Sequence, residues 1–209
     1  PLLTKPVSRT MIFIGKLFAA FLTLLSAYTV LFVYMTVGGT IIYGPQNNLH
    51  LVPLSLLGNV ISTFVWIAIV LAIGSISKSS LIAALGTFGI FIALFISAPI
   101  VSLFSDQAWV LTYVPGSGAT GSIKDLGIPV STGTDSVAAN LINFALHPSS
   151  DVTFSKIVRF QQGQPPQMID LYVEPLSLVL LKSIAVSTAY ILVFLFIAWY
   201  ALKRAQVLE

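Results

Sequence analysis

Four long apolar runs, almost free of charge, decide what this chain can fold into. Residues 17–37, 51–74 and 81–104 contain no Asp, Glu, Lys or Arg, and a fourth run, 176–201, contains only Lys182 near its start. About 20 apolar residues in a helix cross the ~30 Å hydrocarbon layer of a bilayer. Helices are the form expected, because backbone groups in lipid must pair within their own segment. Composition agrees. Only 8% of the 209 residues are charged, against about 25% in an ordinary soluble domain, so there is too little polar surface to face water on all sides. The expected fold is an all-α integral membrane protein with four transmembrane helices and one polar, extracytoplasmic loop of mixed structure.

Orientation follows from the cations that flank the spans. Lys5, Arg9 and Lys16 precede the first, Lys78 lies in the short connection 75–80, and Lys203 and Arg204 follow the last. Residues 38–50, between the first two spans, have no Lys or Arg. Both ends are therefore expected in the cytoplasm of a multi-pass plasma-membrane protein. The chain divides into residues 1–104 (a cytoplasmic turn and three spans), 105–175 (the outer loop) and 176–209 (the last span and a cytoplasmic tail). Tyr43, Trp109, Trp199 and Tyr200 fall near span ends, as interfacial anchors do. Lys182 is expected to reach outward past the apolar layer.

The outer loop holds most of the acids. Residues 114–134 are rich in Gly, Pro, Ser and Thr and read as irregular. Residues 135–146 read as a short amphipathic helix capped by Thr134, with Val137, Leu141 and Phe144 on one face. Residues 168–174 alternate as a strand does, and 152–160 are placed beside them across a turn at 161–167. The loop is read as a lid packed on the helices, or as a surface for substrate or partner.

Several activities are disfavoured by what the residues lack. No cysteine is present, which removes disulfides and thiolate chemistry. The two histidines, His50 and His147, have no metal-binding spacing, and no metal site is expected. The net charge of +3 is scattered, unlike a nucleic-acid-binding stripe. No nucleophile motif or phosphate-binding glycine loop stands out, so no catalytic residue is expected. The first three spans lack the ionisable groups that proton- or ion-driven transporters use. Asn59 is the most polar residue deep in a span. It is expected to bond a neighbouring helix or to line a pathway. Gly89, Ala93 and Ser97 recur every fourth residue, a small-residue face suited to close helix packing or to bordering a pathway. Pro99 marks a place where that helix could bend.

The start of the chain carries the most specific signal. Leu2-Leu3-Thr4-Lys5-Pro6-Val7-Ser8-Arg9, followed by Ile14-Gly15-Lys16-Leu17 entering a span, resembles the permeases of type-2 ATP-binding-cassette exporters. The rest fits in order: two spans joined by a tight turn, an outer stretch containing Tyr113-Val114-Pro115, and a last span with a basic tail. The resemblance implies that the four spans match the family's third to sixth, and that Pro1 lies inside a longer polypeptide. It implies no cofactor on this chain, with ATP bound and hydrolysed by a separate ATP-binding-cassette subunit. That subunit would dock at Lys5, Pro6, Ser8 and Arg9. A second permease subunit and membrane lipid are the other implied partners, and the third span would border the pathway. The alternative reading is a non-transporting membrane subunit that scaffolds a larger complex.

Overall fold

The computed structural model describes residues 9–104, 108–116, 118–159 and 167–204. Four helices in it are long and apolar enough to cross a membrane: α1 (Arg9–Tyr43), α2 (Val52–Ser77), α3 (Ser80–Phe104) and α5 (Leu176–Arg204). Between α3 and α5 the chain builds a small cap from four strands and one short helix. These are β1 (Thr120–Ile123), β2 (Pro129–Ser131), α4 (Val137–Leu146), β3 (Asp151–Arg159) and β4 (Gln167–Pro175).

The helices outrun the charge-free cores that mark them. At ~1.5 Å per residue, the 35 residues of α1 extend about 52 Å, well beyond the hydrocarbon layer. The helix stops where Gly44 takes φ +81° and donates its N–H to the Thr40 carbonyl at 3.0 Å, a left-handed cap that glycine enters without strain. A single 3-10 turn then leads into α2, whose second residue is Pro53, where no intrahelical donor is needed. Lys78 closes α2 in the left-handed conformation, its N–H bonded to the Gly74 carbonyl at 3.0 Å. α3 then runs through Pro99 to Phe104 without a break.

α2 and α5 form the centre of the bundle. Val65, Ala68, Ile69 and Ala72 of α2 are buried, as are Val179, Leu180, Ser183, Ser187 and Ala198 of α5. α1 packs along α2 through the edge-on rings of Phe21 and Phe64 and a 2.6 Å hydrogen bond between the Tyr28 and Thr63 hydroxyls. Most of its surface stays open, as does that of α3. Around one end of the bundle, Phe13, Lys16, Leu71, Lys78, Ala83 and Leu202 enclose a cavity of about 550 Å³. Lys203 and Arg204 occupy the last turn of α5, close to Leu202 in sequence, with the Lys203 ammonium 5.2 Å from the ring centre of Trp199.

The cap sits at the other end. Its sheet is antiparallel in the order β2-β1-β3-β4. Ile123, Val130, Val152 and Phe154 point into a core closed by Leu176 and Val179 at the start of α5. This corrects the expectation of an irregular stretch over 114–134, where β1 and β2 form a hairpin. Its turn uses left-handed residues, Asp125 and Gly127, both at φ 65°. Gly121 is required in β1, since a Cβ there would lie 2.7 Å from the Thr153 carbonyl oxygen. β3 and β4 pair as expected from their alternation, and residues 160–166 between them lie outside the described residues. Phe154 stacks on Tyr172 at 4.7 Å. Burial, and then the charge of Glu174, push the Tyr172 phenol up to about 12, so it stays neutral at any physiological pH.

Thr134 differs from its expected role. It opens a 3-10 turn, Thr134–Ser136, and α4 begins only at Val137. Its hydroxyl accepts the Gly116 N–H at 2.9 Å instead of capping the helix. Lys182 does reach toward the cap, where its ammonium pairs with the Glu174 carboxylate at the end of β4.

Candidate functional site

The cap is fastened to the bundle along a polar seam. The Ser62 hydroxyl of α2 donates to the Thr134 carbonyl at 2.8 Å, and the Trp66 indole N–H donates to the Asp135 carboxylate at 3.2 Å. Asn140 of α4 is wholly buried. Its amide donates to the Ser131 carbonyl at 2.9 Å and to the Ser183 hydroxyl of α5 at 3.2 Å. Farther along α5, the Tyr190 hydroxyl donates to the Tyr113 carbonyl at 2.8 Å. Trp66 lies 14 residues into α2, roughly 21 Å from its start by helix rise. The cap is therefore not a flat lid across the helix ends. Part of it descends along α2 and α5.

Close packing lets it do so. Gly58 of α2 faces the first turn of α4, and a Cβ on Gly58 would lie 2.3 Å from the Ala138 Cα. Only a residue without a side chain admits that helix. Thr132 plays the same part within the cap. Its hydroxyl bonds Thr112 at 2.9 Å and the Ala119 N–H at 3.0 Å, tying the segment after α3 to the β1–β2 hairpin.

Beside the seam, Trp66, Phe91, Leu94, Phe95, Pro115 and Asp135 line a cavity of about 160 Å³ between α2, α3 and the cap. Trp66 meets Phe91 edge-on at 5.3 Å, and Phe91 stacks on Phe95 at 6.2 Å. Asp135 takes both its hydrogen bonds, from Trp66 and from the Thr134 hydroxyl, on Oδ1. Among the described residues no cation pairs with it. Loss of water raises its carboxyl above the ordinary range, and the hydrogen bonds from Trp66 and Thr134 oppose that rise.

Asn59, Gly89, Ala93 and Ser97 do not line this cavity. Lys5, Pro6 and Ser8 lie outside the described residues, and Arg9 is the first residue of α1. Among the described residues Asn59 makes no interhelical bond. Its amide donates to the Ser55 carbonyl one turn earlier at 2.9 Å, and Thr63 supplies the contact to α1 instead. Gly89, Ala93 and Ser97 are exposed, and nothing stands within 4 Å of a Cβ placed on Gly89. A helix turns about 100° per residue, which puts this small-residue face opposite the Phe91–Phe95 face. Among the described residues nothing packs on the small-residue face, whereas the aromatic ones border the cavity. The sequence reading missed Trp66, Phe91, Phe95 and Asp135. The four-residue spacing of Phe91 and Phe95 was a visible signal. The depth of Asp135 was not, because its partner Trp66 is 69 residues away.

Among the described residues the seam's hydroxyls bond carbonyls, a carboxylate, a backbone N–H or one another. What the arrangement provides is a rigid joint and a small aromatic recess with one negative charge.

Neither the curated proteins nor the solved structures contain a match to this chain. The model of one protein family, described as ABC-2 family transporter protein, does match, over residues 1–207. With four membrane-crossing helices and nearly its whole length matched, the chain belongs to the ABC-2 transporter family and is a multi-pass membrane permease component.

Proposed function

We propose that the chain is the permease subunit of an exporter driven by a separate ATP-binding-cassette subunit, with a second permease completing the pathway. The observation that carries this reading is the family match over residues 1–207. Two features of the fold support it. Lys16 and Lys78 border one cavity at the end away from the cap, and Lys203 and Arg204 follow Leu202 from the same cavity. By the positive-inside rule that end faces the cytoplasm and residues 105–175 lie outside. Secondly, α1 and α3 leave broad apolar faces uncovered within the chain, among them the small-residue face Gly89, Ala93 and Ser97. Small residues let a further helix approach closely in lipid.

In this reading Lys5, Pro6, Ser8 and Arg9 take the push of the ATPase. They lead directly into α1, whose next charge, Lys16, is at the basic end of the bundle. Proline restricts the chain at this point, and the cations offer donors to an acidic surface. The test is ATP hydrolysis by the assembled complex. Replacing Lys5, Pro6 and Arg9 together with alanine should lower the rate roughly tenfold, equivalent to ~1.4 kcal/mol of docking free energy, while the chain still reaches the membrane. A rate unchanged by the triple substitution would contradict this docking site.

A further inference from the structure

We propose that the cavity between α2, α3 and the cap receives the ammonium head of an organic cation, with the Asp135 carboxylate as counter-charge and the rings of Trp66, Phe91 and Phe95 as walls. As a cargo site it rests on the permease reading above; as a binding site it does not.

The chemistry of the walls selects the ligand. Three aromatic rings and one carboxylate surround the space, together with apolar groups from Leu94, Ala98 and Pro115. Ring faces attract a cation through their quadrupole within about 6 Å of the centroid, most strongly when water is excluded. A hard metal ion would need six or more oxygen ligands, and among the described residues one acidic side chain lines this cavity. Asp135 is still partly open, and a neutral apolar guest covering it would strip water from its free oxygen and gain nothing from the carboxylate. A protonated amine or a quaternary ammonium uses both features.

The geometry leaves a place for the charge. Both hydrogen bonds to Asp135 fall on Oδ1, so Oδ2 has no partner among the described residues. The Trp66 bond also holds the carboxylate beside the ring it shares the cavity with. At about 160 Å³ the space is smaller than the ~300–1,000 Å³ of whole-ligand pockets. It suits a head group, with an apolar remainder lying over Phe95, whose side chain is 68% exposed at the rim.

The role of Asp135 as a mere anchor for Trp66 is separable from this. Asp135→Asn keeps an oxygen to accept the indole and threonine hydrogens and removes only the charge. The test is equilibrium binding of radiolabelled benzyltrimethylammonium to the full-length permease in nanodiscs, corrected with empty nanodiscs. Unlabelled neopentylbenzene, its uncharged carbon isostere, serves as competitor. Saturable binding is expected, weakened at least tenfold by Asp135→Asn and severalfold by Phe95→Leu, with little competition from the isostere. Absence of saturable binding, equal affinity in both variants, or full competition by the isostere would overturn the site. Phe95→Leu sits at an open rim and gives a readout even where Asp135→Asn fails to fold. Binding is measured without the ATPase, so its failure leaves the exporter reading standing, and loss of the ATPase partner would leave the binding result intact.

Discussion

Gly58→Ala is expected to destabilise the protein and to loosen the cap, although it replaces a poor helix former with the best one. Alanine in mid-helix is favoured over glycine by roughly 1 kcal/mol. Against this stands the contact with α4. The new methyl would lie 2.3 Å from the Ala138 Cα, 2.6 Å from its nitrogen and 2.9 Å from its Cβ. These atoms belong largely to a helix backbone, which cannot rotate aside as a flexible side chain can. Overpacking of this kind costs about 1–3 kcal/mol or more, so the clash wins. Gly58→Leu enlarges the effect. Hydrogen exchange of residues 137–146 should accelerate in both variants, since α4 must lift from α2, while α1 exchanges as before. A Gly58→Ala protein that is more stable than the parent would show that the two helices are not this close.

The second large effect is expected at Asn140. Its amide satisfies the half-buried Ser131 carbonyl and the fully buried Ser183 hydroxyl. Asn140→Ala removes both bonds and leaves these groups without that partner. Each orphaned polar group costs ~1–3 kcal/mol. Part of the loss is offset, because Asn140 Oδ1 itself has no partner in the native structure. A net loss of about 2–3 kcal/mol follows. Asn140→Asp should be worse, since an ionised carboxylate cannot donate to the Ser131 carbonyl and brings an unpaired charge into the core. Thermal unfolding in detergent orders the three proteins, parent above alanine above aspartate. Equal stability of the parent and the alanine variant would contradict the bonding described.

The spans were legible because lipid imposes a strong, local rule. A run of about 20 apolar residues reads the same wherever it packs. Their true ends were less legible, since α1 continues past its charge-free core until Gly44 supplies a left-handed cap. The β1–β2 hairpin escaped notice because its buried positions are few. Ala119, Ile123 and Val130 alternate with Gly and Ser too weakly to mark strands. Asn59 shows a different limit of the sequence. Polarity within a span signals a bond but not its partner, and the Ser55 carbonyl one turn away satisfied it. The face of Gly89, Ala93 and Ser97 was readable as a face, but its direction was not. That depends on how α3 is rotated against α2, which is set by Trp66 against Phe91 and by Ala83 against Gly74. Asp135 counted as one more loop acid until the fold set it, still partly exposed, beside Trp66.

If the chain works as the membrane half of an ATP-driven pair, as proposed above, the full-length protein purified through an affinity tag in gentle detergent should bring its partner with it. Mass spectrometry of the purified material should show an ATP-binding-cassette subunit in stoichiometric amount, lost when Lys5, Pro6 and Arg9 are replaced. Recovery of the chain with other membrane proteins held through residues 105–175, and with no ATPase, would contradict it and favour a scaffold.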